Sequence, residues 1–539
     1  FKSLLKDLTM PKAIVVSDDS YEVVDEASKF SEILVPGSAL IFETFEYNYH
    51  KSPLIAIGIK NNKGMFIVEQ DSIFKSMDFM MYLSDCSIKK SIFDYKRAYV
   101  LCKRLGIELE GINFDLLLAT YILNSSVAKD EFKQIAAFYD YNDVYYDEQI
   151  YGKGVKRALP EKRLIYDHIA KKANALYELK TKALEMLEEK NQMSLLIDIE
   201  IPLSKVLGKM EYNGMKVDLV ELESQQASLE NAIKKLEVEI YSIAKHEFNI
   251  SSPKQLGTVL FDELMIPYPK KKGVSYSTDI DVLQSILNFN PIVPLIIEYR
   301  AKMKLYSTYV VGMKEFIYPD EKVHTIFQQA ITTTGRLSSV EPNLQNIPIR
   351  TLEGHLIRKM FIPTNPNNKL YSADYSQIEL RVLADMSGDE ALISAYNENM
   401  DVHATTAAKV FHVDIDEVTA DLRRKAKAVN FGIVYGISSF GLGQDLHIPK
   451  KEAEEYIKRY FENYPKVKNF LDGLVEDAKK TGYSVTKFGR RRPVPELSSG
   501  NFMQRSFGER VAMNAPIQGT AADIMKIAMI NVDKRLQQE

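Results

Sequence analysis

Apolar positions along the first third of the chain fall into two periods. The runs SALIFETF (38–45), PLIAIGI (53–59) and GMFIV (64–68) read as strands, and FDLLLATYIL (114–123) reads as a helix. Residues 1 to about 180 therefore predict an α/β domain with a small sheet. From 159 to 214 the pattern turns long, charged and helical, with Gly214 as its stop. LVELESQQASLENAIKKLEVEIYSIAKHEF (219–248) predicts a second helical pair forming an extended arm, its i,i+4 charge pairs placing one side in solvent. In NISSPKQLGTVLF (249–261), Ser252 is the N-cap and Pro253 the first helical residue. That positive helix end, with Lys254 and Gln255, could hold a phosphate or be an ordinary capped helix. The chain has no internal repeat or low-complexity tract.

Four later blocks carry candidate chemistry. NKLYSA (368–373) predicts a strand delivering Asp374, and Ser376 to Glu379 predicts a capping box opening the next helix. An acid at a strand end suits metal-assisted phosphate chemistry; the plain alternatives are a turn acid at Asp374 and a capping role at Glu379. In DLRRKAKAVNFGIVYG (421–436), Arg423, Lys427, Phe431 and Tyr435 follow at i+4. Each step rises about 6 Å and rotates about 40° from alignment, giving one stripe about 18 Å long. Two cations then two aromatics match a nucleotide laid along the helix, phosphates first. Gly432 and Gly436 mark a close approach or a mobile end. TTTGRLSSVEPNLQNIPIR (332–350) is a polar loop offering Arg336, Gln345, Asn346 and Arg350 to a nucleic-acid backbone or groove, or simply a polar surface. ERVAMNAPIQGTAADIMK (509–526) sets Arg510, Asn514 and Gln518 at i+4, with Pro516 interrupting the helix.

Composition narrows the class. The 539 residues, 45 % hydrophobic, suffice for three or four folding units. Two cysteines, Cys86 and Cys102, exclude a disulfide framework and a zinc-type cluster, and the eight histidines show no ligand spacing. No apolar stretch approaches the roughly 20 residues of a membrane span, and FKSLLKDLTMPKA lacks a signal-peptide core, so a cytosolic protein is expected. The net charge of −4 does not advertise a polyanion binder, but RRKAK (423–427), GRRRP (489–493) and PKKKG (269–273) are locally basic.

Taken together, the four blocks resemble the family A DNA polymerases over essentially the whole chain, most of all the large fragment of the bacterial, Gram-positive type. The resemblance implies an α+β multidomain fold, an RNase H-like α/β exonuclease-type domain followed by a right-hand polymerase. Its parts would be the exonuclease-like domain over 1–180, the thumb with a first palm segment over 181–320, and the palm over 321–400. The fingers would take 401–500, and further palm 501–539. Asp374 would ligate two Mg²⁺ ions, with Mn²⁺ a possible substitute, and Tyr375 would lend its carbonyl. Glu379 would exclude the ribose 2′-hydroxyl. Arg423 and Lys427 would bind the β- and γ-phosphates, Lys427 also protonating the leaving pyrophosphate. Phe431 would pack on the sugar, Tyr435 would stack at the insertion site, and His403 in DVHATTA would touch phosphate. Arg336, Gln345, Asn346, Arg350, Arg510, Asn514 and Gln518 would contact primer or template. The implied partners are primer-template DNA and dNTPs, bound by a monomer in the bacterial cytoplasm with no membrane.

Two departures from the family follow. At the exonuclease positions Glu43 replaces Asp, Phe45 replaces Glu, and Lys96 and Lys172 replace acids. Lysines there would repel Mg²⁺, which predicts a domain without proofreading. The family's second catalytic acid lies in a His-Asp-Glu turn not found before Glu539, so the chain is expected to be a fragment. Asp523 and Asp533 are nearby acids outside such a turn. A fragment that binds primer-template and dNTP without extending it is the alternative; a single-subunit RNA polymerase is disfavoured by Glu379.

Overall fold

The computed structural model describes residues 21–127, 131–269, 275–349 and 352–538, so Arg350 and the lysines of PKKKG lie outside the described residues. They form two compact units. One runs to Tyr212 and takes in Phe327–Ser338 and the chain from Ala373; the other comprises Asn213–Ile326 and Ser339–Ser372.

The first unit opens with a six-stranded sheet. Its strands are β1 (Glu22–Val23), β2 (Ala39–Thr44), β3 (Leu54–Asn61), β4 (Gly64–Glu69), β5 (Lys90–Ile92) and β6 (Ile112–Asp115), in the order β1-β4-β3-β2-β5-β6. β2, β3 and β4 pair antiparallel, while β1 on β4, β5 on β2 and β6 on β5 are parallel. Every residue of β2 is buried, as its unbroken apolar run requires. The helix Lys162–Glu189 lies so close to the sheet that a Cβ on Gly58 would sit 2.5 Å from Ile169 Cγ2. The α/β expectation for this region holds.

Later in the same unit, helices Ile378–Ser387, Val402–Phe411, Ala420–Val434, Lys450–Asn463, Pro465–Thr481 and Phe502–Leu536 enclose an apolar core. Leu383, Val429, Val434, Tyr460, Tyr464 and Ile517 are buried in it, and burial contributes about 1.5–3 kcal/mol for each large aliphatic residue. Pro516 does not interrupt the last helix, which runs unbroken for 35 residues. A proline leaves the carbonyl four residues earlier without its helical donor. Here that carbonyl, on Ala512, accepts from Ser484 Oγ at 3.5 Å.

The NKLYSA strand does not form: residues 368–375 have no regular structure, and 369–375 are exposed. Extended backbone is stabilised by ladder hydrogen bonds, and no strand pairs with this segment among the described residues. The Ser376–Glu379 capping box is also absent. Gln377 is the N-cap, in left-handed conformation and without a side-chain bond. Arg381 Nε instead donates to the Ser376 carbonyl at 3.0 Å.

The second unit carries a three-stranded antiparallel sheet of Met215–Val217, Lys322–Val323 and Phe361–Ile362. The predicted helical pair at 219–248 is one helix, Leu219–Ala244, ended by Lys245 in left-handed conformation. It is no free arm, because Leu236 and Ile240 pack into a core with Val293 and Ile296 of the helix Ile292–Lys304. Ser252 caps the short helix Pro253–Gly257 as expected, its Oγ accepting from Gln255 N at 3.4 Å. Gln255 Oε1 accepts from Asn249 N at 2.8 Å, an internal use of that side chain.

Candidate nucleotide-binding site

The helix Ala420–Val434 starts on Thr419, whose hydroxyl accepts from Leu422 N at 3.3 Å. Ala426, Val429 and Ile433 bury one face, which leaves Arg423 and Lys427 exposed and Phe431 half-buried on the other. The helix stops at Tyr435, its C-cap, because Gly436 takes φ +64°. A Cβ on Gly436 would lie 3.1 Å from Met513 Cε and 3.2 Å from Arg510 Cγ, so the close approach falls at the turn. The rings of Phe431 and Tyr435 stack at 6.5 Å and 17°, and Lys427 Nζ lies 5.9 Å from the Phe431 ring. Phe431, Gly432, Tyr435 and Arg510 line a cleft of about 470 Å³.

Glu379 is drawn into this site rather than into a cap. It is buried, pairs with the Arg336 guanidinium, and accepts from Tyr435 OH at 2.9 Å. Burial and the Glu379 carboxylate both push the Tyr435 phenol up, which keeps it a hydrogen-bond donor. His403 is buried with its ring 5.8 Å from Phe431 and its Nδ1 3.0 Å from Asn430 Nδ2. Burial lowers its pKa to about 4, so at neutral pH it is uncharged. Arg423 Nε donates to Asp401 Oδ2 at 2.7 Å; the other oxygen of Asp401 caps the helix Val402–Phe411, accepting from the backbone of His403 and Ala404.

The structure thus brings together Arg336, Glu379, His403, Arg423, Lys427, Phe431, Tyr435 and Arg510. Asn514 and Gln518 follow Arg510 along the long helix, half-buried, and Asn514 Oδ1 is buried with no hydrogen-bond partner among the described residues. Gln345 and Asn346 are exposed in the other unit, where the Asn346 carbonyl accepts from Tyr309 OH. Asp374 and Tyr375 are exposed. Among the described residues the Asp374 carboxylate shows no hydrogen bond or ion pair, which leaves it open to a hard cation. Asp374 joins no group of three potential metal ligands among the described residues, so it fits Mg²⁺ as one ligand and not as a complete two-ion site. Asp401 and Asn430 escaped sequence reasoning; the signal for Asp401 was its cap position two residues before His403.

A second cluster lies in the six-stranded domain. Glu43, Asp147 and His168 come within metal-binding distance of one another, but Lys172 Nζ stands among them. It lies 3.0 Å from Glu43 Oε2 and 2.8 Å from Asp147 Oδ1, while His168 Nε2 is 2.9 Å from Asp147 Oδ1. Burial disfavours both charges, yet Lys172 and His168 hold the Asp147 carboxyl well below its usual range, and the two acids keep the Lys172 ammonium above its own. Phe45 packs apolar, 5.0 Å from the Arg157 guanidinium and 5.7 Å from the Tyr151 ring. Lys96 serves a different acid, Glu211, at 2.8 Å. Asp147 gave no sequence signal, because its partners lie far along the chain. The GRRRP run is no surface patch at Arg490, which is buried between Glu200 and Asp523; Asp523 is thereby structural.

A six-stranded mixed sheet domain, joined to a helix with cations along one face and aromatics lining a cleft, is the arrangement expected of an RNase H-like exonuclease-type domain followed by a family A polymerase domain. Comparison agrees: DNA polymerase family A matches residues 220–539, and the ribonuclease H-like domain of DNA polymerase I matches 40–179. The chain belongs to DNA polymerase family A. It is 47 % identical over 509 residues to DNA polymerase I of Geobacillus stearothermophilus, covering 94 % of this chain and 58 % of that one. It is 45 % identical to DNA polymerase I of Bacillus subtilis, covering 100 % of this chain and 62 % of that one. The chain thus spans about three fifths of the length of these curated relatives. Among solved structures, the polymerase domain of Pol1 from M. smegmatis, in complex with DNA primer-template and dNTP, aligns with TM-score 0.84 and 34 % identity over 96 % of this chain and 89 % of that one. Among the described residues, no helix is long and apolar enough to cross a membrane.

Proposed function

We propose that this chain performs template-directed DNA synthesis, adding dNTPs to a primer 3′-hydroxyl in bacterial replication and repair. The supporting observation is the helix-face stripe of Arg423, Lys427, Phe431 and Tyr435, whose two aromatics line a cleft and whose Tyr435 hydroxyl is bonded to Glu379. Arg423 and Lys427 bind the triphosphate, with uncharged His403 as a further phosphate contact. Phe431 packs on the sugar, and Tyr435 stacks at the insertion site. Glu379, held by Arg336 and Tyr435, fills the space a ribose 2′-hydroxyl would need. Lys427 protonates the leaving pyrophosphate. Arg336, Gln345, Asn346, Arg510, Asn514 and Gln518 contact primer or template, and the five-part division of thumb, palm and fingers given above applies. Asp374 and the Tyr375 carbonyl would hold Mg²⁺, which lowers the pKa of the primer hydroxyl and offsets charge on the phosphates. Lys172 supplies inside the protein the positive charge that metals would bring, so proofreading is absent.

A second reading, binding of primer-template and dNTP without extension, is favoured by Asp374 joining no group of potential metal ligands among the described residues. Primer extension with Mg²⁺ separates the two. Extension that Asp374→Ala abolishes supports synthesis; tight binding without extension supports the second reading. Glu379→Ala should ease ribonucleotide entry, and unchanged discrimination removes the gate assignment. Mg²⁺-dependent 3′→5′ digestion by the purified chain would refute the absence of proofreading.

A further inference from the structure

Behind the turn that carries Arg336 lies a buried cluster of four charges. Arg490 Nη2 donates to Asp523 Oδ1 at 2.7 Å and also pairs with Glu200, while Lys526 Nζ lies 2.7 Å from Glu200 Oε1. All four side chains are buried, and two acids balance two bases. Tyr121, from the helix Leu116–Leu123 of the RNase H-like domain, covers this cluster with its ring 5.7 Å from the Arg490 guanidinium and 5.9 Å from Lys526 Nζ.

The cluster and Tyr121 also fix the turn itself. Tyr121 OH donates to the Thr332 carbonyl at 2.6 Å, and Thr332 Oγ1 donates to the Arg336 carbonyl at 2.6 Å. Gly335, at φ +85°, rests on the arginine so closely that a Cβ there would lie 3.1 Å from Arg490 Nε. The backbone of Arg336 is therefore held from below by Arg490 and from its start by Tyr121. Its guanidinium ends on Glu379, which also receives the Tyr435 hydroxyl.

We propose that Tyr121 and Arg490 are positioning residues for the Arg336–Glu379 pair, so that the RNase H-like domain serves the nucleotide site through the Tyr121 hydroxyl. Small displacements of a contact that discriminates by shape have large effects, and a contact is held best by buried supports that are themselves bonded. The inference rests on the reading of Glu379 as the sugar gate.

The test is equilibrium binding of dATP and ATP to the chain with a 3′-dideoxy-terminated primer on a template whose next base is thymine. The dissociation-constant ratio is defined whether or not the chain extends primers. Tyr121→Phe removes one hydroxyl and keeps the ring. It should lower discrimination about 3- to 10-fold, the span one hydrogen bond carries, mainly by strengthening ATP binding as the gate loosens. Thr332→Val should do the same, and the double variant should add little. A structural role alone would shift the melting temperature and leave the ratio unmoved. If Tyr121→Phe folds poorly, Thr332→Val decides. If Glu379→Ala leaves the ratio unchanged, the gate reading fails and this inference fails with it. If Glu379→Ala lowers the ratio while both hydroxyl variants keep it within 1.5-fold, this inference alone is overturned.

Discussion

Replacing Lys172 with methionine would remove the ammonium that, among the described residues, is bonded to both Glu43 and Asp147, while keeping most of the apolar stem. At an effective dielectric of about 20, contacts of 3.0 and 2.8 Å are each worth roughly 5–6 kcal/mol before desolvation. The Asp147 side chain is 35 % exposed, so water screens that half; Glu43, at 5 %, is not relieved in this way. Desolvating the ammonium cancels several kcal/mol of the gross attraction. What remains matches the usual cost of stranding a buried charge, about 3–5 kcal/mol. In the parent, Asp147 is held below its usual range and Lys172 above its own, so this contribution persists from about pH 4 to about pH 10. It is lost only as pH falls through the depressed Asp147 value or rises through the elevated Lys172 value. In Lys172→Met the deficit should shrink as pH falls, because the Asp147 carboxyl, no longer held down by the ammonium, takes up a proton more readily. Native-state hydrogen exchange of the β2 amides reads the opening free energy directly. Adding Glu43→Gln to Lys172→Met should restore about 2 kcal/mol, since no buried anion is then left alone. A single variant within about 1 kcal/mol of the parent at pH 7.5 would refute the reasoning.

Asp401→Asn keeps a good N-cap and removes the carboxylate that competes with phosphate for Arg423; for a pair of this exposure, the dNTP KM should fall about two- to fivefold, and an unchanged or raised KM argues against the competition. His403 is uncharged in the fold with its pKa near 4, so its contribution to stability is complete above the unfolded value of about 6.5 and is lost as pH falls toward 4. His403→Gln should flatten that part of the stability–pH curve, and identical curves would count against the assignment. Ser484→Ala leaves the Ala512 carbonyl without its donor beside Pro516 and should cost about 1 kcal/mol in urea unfolding, whereas no change would show that the bond carries nothing.

Much of the site was legible because its chemistry has a local period. Arg423, Lys427, Phe431 and Tyr435 share a helix face by spacing alone, and the buried strands β2, β3 and β4 announce themselves as unbroken apolar runs. Spacing also set Arg510, Asn514 and Gln518 along one helix, though Pro516 argued for a break that the helix does not show. The family likeness carried the roles, which no period could supply.

What the sequence by itself determined is which residues share a face and which segments bury apolar surface, since both follow from backbone geometry over a few residues. Only the tertiary structure decided where each charge goes. Glu379 could have capped its own helix and instead meets Arg336 and Tyr435; Lys172 finds Glu43 and Asp147; Arg490 leaves a basic run for a buried cluster. A charge taken out of water is stable only where an opposite partner waits. That partner arrives by packing of distant elements, which no local pattern records.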